Sequence, residues 1–105
     1  MKFWIPLSGS VRGQPILVKS KTGIHVAAPH RKDELYIAVA NLSAKAATVS
    51  LRYCNDNYIC KDVVVDANSP PSVLIDKIIV FSDGIVAESD QDNAISITGH
   101  VKRLP

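Results

Sequence analysis

The feature that most constrains this chain is the one-by-one alternation of apolar and polar residues near its end. Apolar or small residues and polar residues take turns over 95–102, with Ile95, Ile97, Gly99 and Val101 against Ser96, Thr98, His100 and Lys102. Residues 47–53 repeat the pattern. Successive side chains of a strand point to opposite faces, so this period of two predicts strands with one buried and one solvated face.

The same reasoning predicts about eight strands and no amphipathic helix. The segments lie at 15–19, 23–27, 34–40, 47–53, 59–65, 73–80, 84–87 and 95–102. Turn-forming residues separate them, such as Asn68-Ser69-Pro70-Pro71, and Ala44-Lys45-Ala46-Ala47 is expected to be a turn. A chain of 105 residues with this spacing predicts one all-β domain, an antiparallel two-sheet β-sandwich of jelly-roll or Ig-like type.

Residues 1–14 differ from the rest of the chain. An apolar cluster precedes the flexible stretch Ser8-Gly9-Ser10 and the basic Arg12; its members are Phe3, Trp4, Ile5 and Leu7. We interpret 1–14 as an extended N-terminal arm that binds a neighbouring subunit through Phe3, Trp4, Ile5, Leu7 and Arg12, ahead of a β-sandwich domain over 15–105. The alternative is a first strand that packs on the domain's own core.

Charge is distributed unevenly along the chain. Residues 1–32 contain six Lys or Arg and no acidic residue, whereas the remainder contains the other six with all ten acidic residues. Such segregation could pair identical subunits head to tail, the basic part of one against the acidic part of the next. The alternative is that both parts are solvated loops. The net charge of +2 does not indicate nucleic-acid binding.

Targeting signals are not evident either. No apolar run approaches the roughly 18 residues of a membrane span, so no membrane partner is expected. The apolar start is too short for a signal-peptide core and is interrupted by Pro6. We therefore expect a protein that is made and used in a cytosol or released by lysis.

The polar residues do not form a recognisable catalytic or cofactor motif, so we expect no enzyme and no cofactor. The chain has three histidines but no Gly-x-Ser-x-Gly motif, which would carry the nucleophilic serine of a catalytic triad. His100 falls on the polar face of the last strand, and His25 is interpreted as a structural residue. The glycines do not form a phosphate loop, and the acidic run from Asp83 to Asp92 lacks calcium-loop spacing.

Both cysteines flank the turn-forming stretch Asn55-Asp56-Asn57. Two ligands at this spacing are too few for zinc, and the pair is not a Cys-x-x-Cys redox motif. The flanking strands predict a hairpin with one cysteine on each strand. If Cys54 and Cys60 lie opposite each other, their separation suits a disulfide, whereas a cytosol would keep both thiols reduced.

Four segments resemble small virion proteins of tailed bacteriophages. The first contains Ile24-His25 and Ala27-Ala28-Pro29, and the second runs from Asp33-Glu34 to Asn41-Leu42-Ser43. The third is Ala47 to Leu51, and the fourth is Ile95 to Arg103 with Ile97, Gly99 and Val101. The resemblance covers roughly residues 23–103. The chain departs from these relatives in its long N-terminal stretch and in Cys54 to Cys60, where relatives often have a glycine-rich hairpin.

The resemblance implies a β-sandwich that coats or joins parts of a phage particle, assembled in the host cytoplasm. The implied role is a capsid decoration (cement) protein, often a homotrimer, which binds the major capsid protein. A tail, neck or head–tail junction subunit is the alternative, and a ligand-binding β-sandwich module is a further one.

Overall fold

The computed structural model of the chain describes residues 4–10, 14–27, 32–53, 57–81 and 84–104. Within them the chain forms nine β-strands and no helix. The strands are Trp4–Pro6 (β1), Ile16–Leu17 (β2), Lys21–Val26 (β3), Lys32–Asn41 (β4), Ala47–Tyr53 (β5), Tyr58–Val65 (β6), Ser72–Phe81 (β7), Gly84–Ser89 (β8) and Ile95–Leu104 (β9). They build two antiparallel sheets, so the predicted all-β, two-sheet sandwich is confirmed.

The strand order is that of a jelly roll. The five-stranded sheet has the order β1-β9-β4-β7, with β2 also beside β9, and the four-stranded sheet has the order β3-β8-β5-β6. Strands β2 to β5 pair antiparallel with β9, β8, β7 and β6 respectively. The chain is therefore one long hairpin, with its tip between β5 and β6, which is wrapped into two sheets.

The N-terminal segment closes one side of the sandwich. Trp4 pairs with Lys102 of β9, and the backbone N–H of Gly9 donates to Ile24 O of β3 at 3.0 Å. Leu7 lies between them and is buried in the core. For residues 4–10 the structure therefore shows the alternative interpretation, a first strand on the domain's own core, whereas an arm over 1–14 that binds a neighbouring subunit stays a prediction. A three-residue strand containing Pro6 gives little periodic signal in the sequence.

The core lies between the two sheets and draws on both. Inward positions alternate along the strands as the sequence predicts. The largest fully buried side chains are Leu7, Ile24, Leu35, Ile37, Leu51, Ile85, Ile95 and Ile97.

Asn41 fixes the connection between β4 and β5. Its buried side-chain amide donates from Nδ2 to the backbone oxygens of Lys45 at 2.8 Å and Val65 at 3.0 Å. Its Oδ1 accepts the backbone N–H of Ser43 at 2.9 Å and the Ser43 hydroxyl at 2.8 Å. Every hydrogen-bonding group of this side chain is thus satisfied, as burial of an amide requires. The chain bends at residues 43–45 instead of forming a helix, while Ala47, the last residue of the turn predicted over 44–47, already belongs to β5.

Gly99 allows β9 to pass close to β4. A Cβ at this position would collide with the carbonyl oxygen of Tyr36 and lie 3.2 Å from Leu7 Cδ1. Glycine is therefore required by the close approach of the two strands.

Candidate functional site

Of the five residues predicted to bind a partner, the structure describes three, which are Trp4, Ile5 and Leu7. Phe3 and Arg12 lie outside the described residues. The backbone of Trp4 belongs to β1, Ile5 packs half-buried against the core, and Leu7 is 1% exposed. Leu7 therefore has no surface for a neighbour while it remains in the core. The partner-binding role of Phe3, Trp4, Ile5, Leu7 and Arg12 stays a prediction.

Cys60 lies on β6 opposite Leu51, and its thiol has no disulfide partner among the described residues. Burial raises the pKa of this thiol, and a backbone hydrogen bond involving Leu51 opposes the effect only in part. The thiolate is the reactive form, so Cys60 is a poor nucleophile at neutral pH. Cys54 lies outside the described residues, and the possible disulfide between the two stays a prediction.

A buried polar cluster joins the two sheets where β3, β4 and β9 meet. His25 Nε2 lies 2.8 Å from Asp33 Oδ2, and both side chains are 0% exposed. Arg103 Nε donates to Asp33 Oδ1 at 3.0 Å. The backbone N–H of Ser8 donates to His25 Nδ1 at 3.0 Å. A histidine, a carboxylate and a serine thus lie together, as they do in a nucleophilic triad. Their hydrogen bonds, however, give them a structural role.

The hydrogen-bond directions explain why this cluster is not a nucleophilic triad. A triad needs the serine hydroxyl against the imidazole. Here the Ser8 main-chain N–H meets the ring, while the Ser8 hydroxyl accepts the N–H of Val26 at 2.7 Å. His25 is therefore the satisfied structural histidine that the sequence predicts.

Asp33 remains ionised inside the protein. Burial alone would raise its pKa, but the hydrogen bonds from Arg103 and His25, together with the Arg103 charge, outweigh burial and lower the pKa below its ordinary value. A buried carboxylate that accepts several hydrogen bonds is stable in its charged form. The cluster is consequently an ionic joint between the sheets: the charged Asp33 carboxylate pairs with Arg103 in its own sheet and binds His25 of the other sheet.

A groove crosses the outer face of the five-stranded sheet, and we call it the outer groove. Its volume is about 410 Å³, within the range of small-molecule sites. Tyr36 and His100 form a cross-strand pair at one wall, with ring centroids 4.9 Å apart and an angle of 18° between the rings. The lining also includes Ala38, Val73, Ile75, Asp76 and Thr98.

The charges beside the outer groove are balanced. Glu34 lies 3.2 Å from Lys77 Nζ and 4.0 Å from Lys102 Nζ through its two carboxylate oxygens. Burial, followed by the nearby Glu34 carboxylate, raises the pKa of Tyr36, so its phenol stays protonated. The groove therefore offers apolar and aromatic surface with hydroxyl groups and no strong excess of either charge.

A smaller polar recess of about 250 Å³ lies on the four-stranded sheet. Two of its three acidic residues are engaged within the fold, because Glu88 pairs with Arg52 Nε at 3.2 Å and Asp90 Oδ1 accepts the N–H of Thr48 at 2.9 Å; the third is Asp62. Asp83, the first residue of the acidic run, lies outside the described residues.

Metal ligands do not cluster in the described part of the chain, where no three His, Cys, Asp or Glu residues are placed to hold an ion. None of the described residues belongs to a helix long and apolar enough to cross a membrane.

Comparison with known protein families, with curated proteins and with solved structures finds no match for the chain. The functional conclusion therefore rests on the motif residues and on the surface geometry.

The sequence did not reveal the outer groove. Tyr36 and His100 both occupy polar-face positions of alternating strands, which is the available signal. Only the antiparallel register of β4 with β9 brings them together, and that register is a long-range property of the fold.

Proposed function

We propose that the protein is a structural virion protein of a tailed bacteriophage, which binds the head surface as a capsid decoration (cement) protein and stabilises it. One observation carries the proposal: residues of the phage-like motifs make the contacts that hold this jelly roll together. His25, Asp33 and Arg103 join the sheets, Asn41 fixes a turn, and Gly99 permits a close strand approach. Jelly rolls are a recurrent architecture of viral capsid domains.

The docking face in this proposal is the outer face of the five-stranded sheet. Val73 and Ile79 on β7 are 71% and 49% exposed there, and Val73 lines the outer groove. Exposed apolar side chains at a groove suit anchoring on another protein. Many weak contacts on a repeating shell would add up through avidity.

Purified particles of the phage that encodes the chain test the location. Quantitative mass spectrometry should find the chain in copy numbers comparable to those of the shell subunits. A copy number of six or twelve would instead support the alternative, a tail, neck or head–tail junction subunit, and absence from the particle would reject both roles.

The proposed assembly is a homotrimer that contacts the major capsid protein. Analytical ultracentrifugation of the isolated 11.4 kDa chain should give about three times the mass of one chain. A monomer at all concentrations would contradict a preformed trimer.

The docking face can be tested with two matched substitutions. Val73→Asp places a charge in the outer groove, whereas Val64→Asp does so on β6 of the other sheet, at a similarly exposed valine (65%). We expect Val73→Asp to weaken particle binding at least tenfold and Val64→Asp to leave it unchanged. Equal binding by both variants would show that the outer groove is not the docking face.

The outer groove also favours a second candidate, a ligand-binding β-sandwich module. A stacked Tyr36–His100 pair beside Asp76 and Thr98 offers an aromatic surface with polar groups, the usual composition of a small-molecule site. Consistent hits on a glycan array, lost in Tyr36→Ala, would favour this candidate over the virion role.

A further inference from the structure

The hydrogen bonds around His25 place its proton. Nδ1 accepts the backbone N–H of Ser8 at 3.0 Å, so Nδ1 carries no proton. Nε2 must therefore carry the proton and donate it to Asp33 Oδ2 at 2.8 Å. The ring is neutral, and both of its nitrogens are used.

Residues 4–10, which we call the N-terminal latch, are held on β3 by this ring and two further bonds. Val26 N–H donates to Ser8 Oγ at 2.7 Å, and Gly9 N–H donates to Ile24 O at 3.0 Å. Beyond these bonds, the latch is held by the three-residue pairing of β1 with β9 and by Leu7 in the core. Ser8 and Gly9 are exposed, so water can reach their backbone as soon as the bonds open.

A second proton on His25 conflicts with the closed latch. Nδ1–H would face the Ser8 N–H, and two donors cannot form a hydrogen bond with each other. When the latch is open, Nδ1–H can bind water while Nε2–H keeps its bond to the Asp33 carboxylate. The open form therefore accepts one proton that the closed form excludes.

We propose that the N-terminal latch is a pH-controlled device, which leaves β3 and β9 when His25 takes up its second proton. Because the open form binds one more proton, lowering the pH favours opening, and the opening equilibrium rises about tenfold per pH unit. Histidine is the side chain whose charge ordinarily changes between about pH 8 and 5, which sets the range of the test. Opening would free Leu7 and the backbone of β9 between His100 and Lys102. The device does not depend on the proposed function.

The charged groups around His25 in the described structure are few. Asp33 faces it from β4, and Arg103 from β9 binds the same carboxylate. The residue opposite His25 on β8 is Ile85, and the latch contributes no titratable side chain. Asp33 stays ionised through this pH range, since its pKa is lowered. His25 is thus the group whose charge changes.

Amide hydrogen exchange followed by NMR tests the device in the full chain. Protection is measured at the amides of Ser8, Gly9 and Val26 between pH 8 and 5 and corrected for the intrinsic pH dependence of exchange. We expect it to fall about tenfold per pH unit once His25 takes up its second proton, while the amides of Val49 and Leu51 in β5 keep theirs. Unchanged protection of the latch, or a simultaneous loss in β5, would overturn the proposal.

Two substitutions and one direct measurement identify the titrating group. His25→Gln cannot take up a proton and should abolish the pH dependence, whereas His100→Gln on the outer face should preserve it. The ¹⁵N signals of the His25 ring in the unmodified protein should show protonation of Nδ1 at the pH where Ser8 loses protection, which remains informative if His25→Gln does not fold. Nδ1 protonation with Ser8 still protected would overturn the proposal, as would an unchanged pH dependence in folded His25→Gln.

Discussion

At the scale of single residues, Asp33 lies on β4 but connects this strand to two others through its side chain. Its carboxylate binds His25 from β3 and Arg103 from β9, and thereby connects the two sheets. Sequence alone could indicate that His25 is structural and that His100 faces solvent. It could not indicate the Asp33–Arg103 pair, because the two residues are 70 positions apart and meet only through the pairing of β4 with β9.

Replacement of Asp33 by alanine should destabilise the protein strongly. The change leaves the His25 Nε2–H buried without its acceptor and removes the partner of Arg103. Loss of one member of a buried charged pair typically costs about 3–5 kcal/mol in the free energy of unfolding. Urea unfolding at pH 7 measures the loss, with the exposed Asp92→Ala as a control expected within about 0.5 kcal/mol of the unmodified protein. Similar effects of the two changes would contradict the ionic joint.

The same carboxylate should make stability depend on acid. The pKa of Asp33 is lower in the folded protein than in the unfolded chain, so folding favours its charged form. This contribution is complete above the unfolded value of about 3.9 and is lost as the pH falls through the lower folded pKa. Urea unfolding between pH 5 and 2 should show a steeper loss for the unmodified protein than for Asp33→Asn. Parallel curves would show that Asp33 is not responsible.

At the scale of elements, the sequence predicted where the strands lie far better than which strands pair with each other. Alternation located β5 at residues 47–53 without error and most other strands within one or two residues at each end. The period of two reports only the local environment of each residue, so it cannot reveal that β9 lies between β1 and β4. The first strand was only the alternative interpretation of residues 1–14, because three residues that include Pro6 give little periodic signal.

Because β9 passes close to β4, replacement by alanine should affect stability differently at two glycines. Gly99→Ala would drive a methyl group into the Tyr36 carbonyl, and overpacking of this kind costs about 1–3 kcal/mol. A Cβ on Gly23 would meet nothing within 4 Å, so Gly23→Ala should be neutral or stabilise by up to about 1 kcal/mol. Thermal and urea unfolding of both variants gives the comparison, and equal losses would contradict it.

The first strand should matter for stability. Leu7→Ala removes a core side chain that is 1% exposed and should cost about 2–5 kcal/mol. Leu42→Ala, at a leucine that is 61% exposed, is the matched control and should change little. Deletion of residues 1–13 should likewise destabilise the domain, since it removes Leu7. A truncated domain as stable as the full chain would restore the arm interpretation.

At the scale of the whole molecule, the wrapped hairpin makes most strand pairings distant in sequence. Pairing of β2 with β9 and of β3 with β8 closes long stretches of chain before any of their contacts are gained. Such topologies fold in milliseconds to seconds, more slowly than helical proteins of similar size. Stopped-flow circular dichroism after dilution from urea should find this range, and refolding in microseconds would contradict it.

The pairing of β1 with β9 has a consequence for protein engineering. Trp4 and Lys102 are direct neighbours, so a short glycine–serine linker can join the two ends of the described chain without disturbing either sheet. New ends can then be opened between the exposed Pro70 and Pro71, on the β6–β7 connection, which leaves the hydrogen bond of Asn41 to Lys45 intact. Such a circular permutant would carry β1 in the middle of the chain, covalently continuous with β9, and would present a fused cargo from the β6–β7 connection.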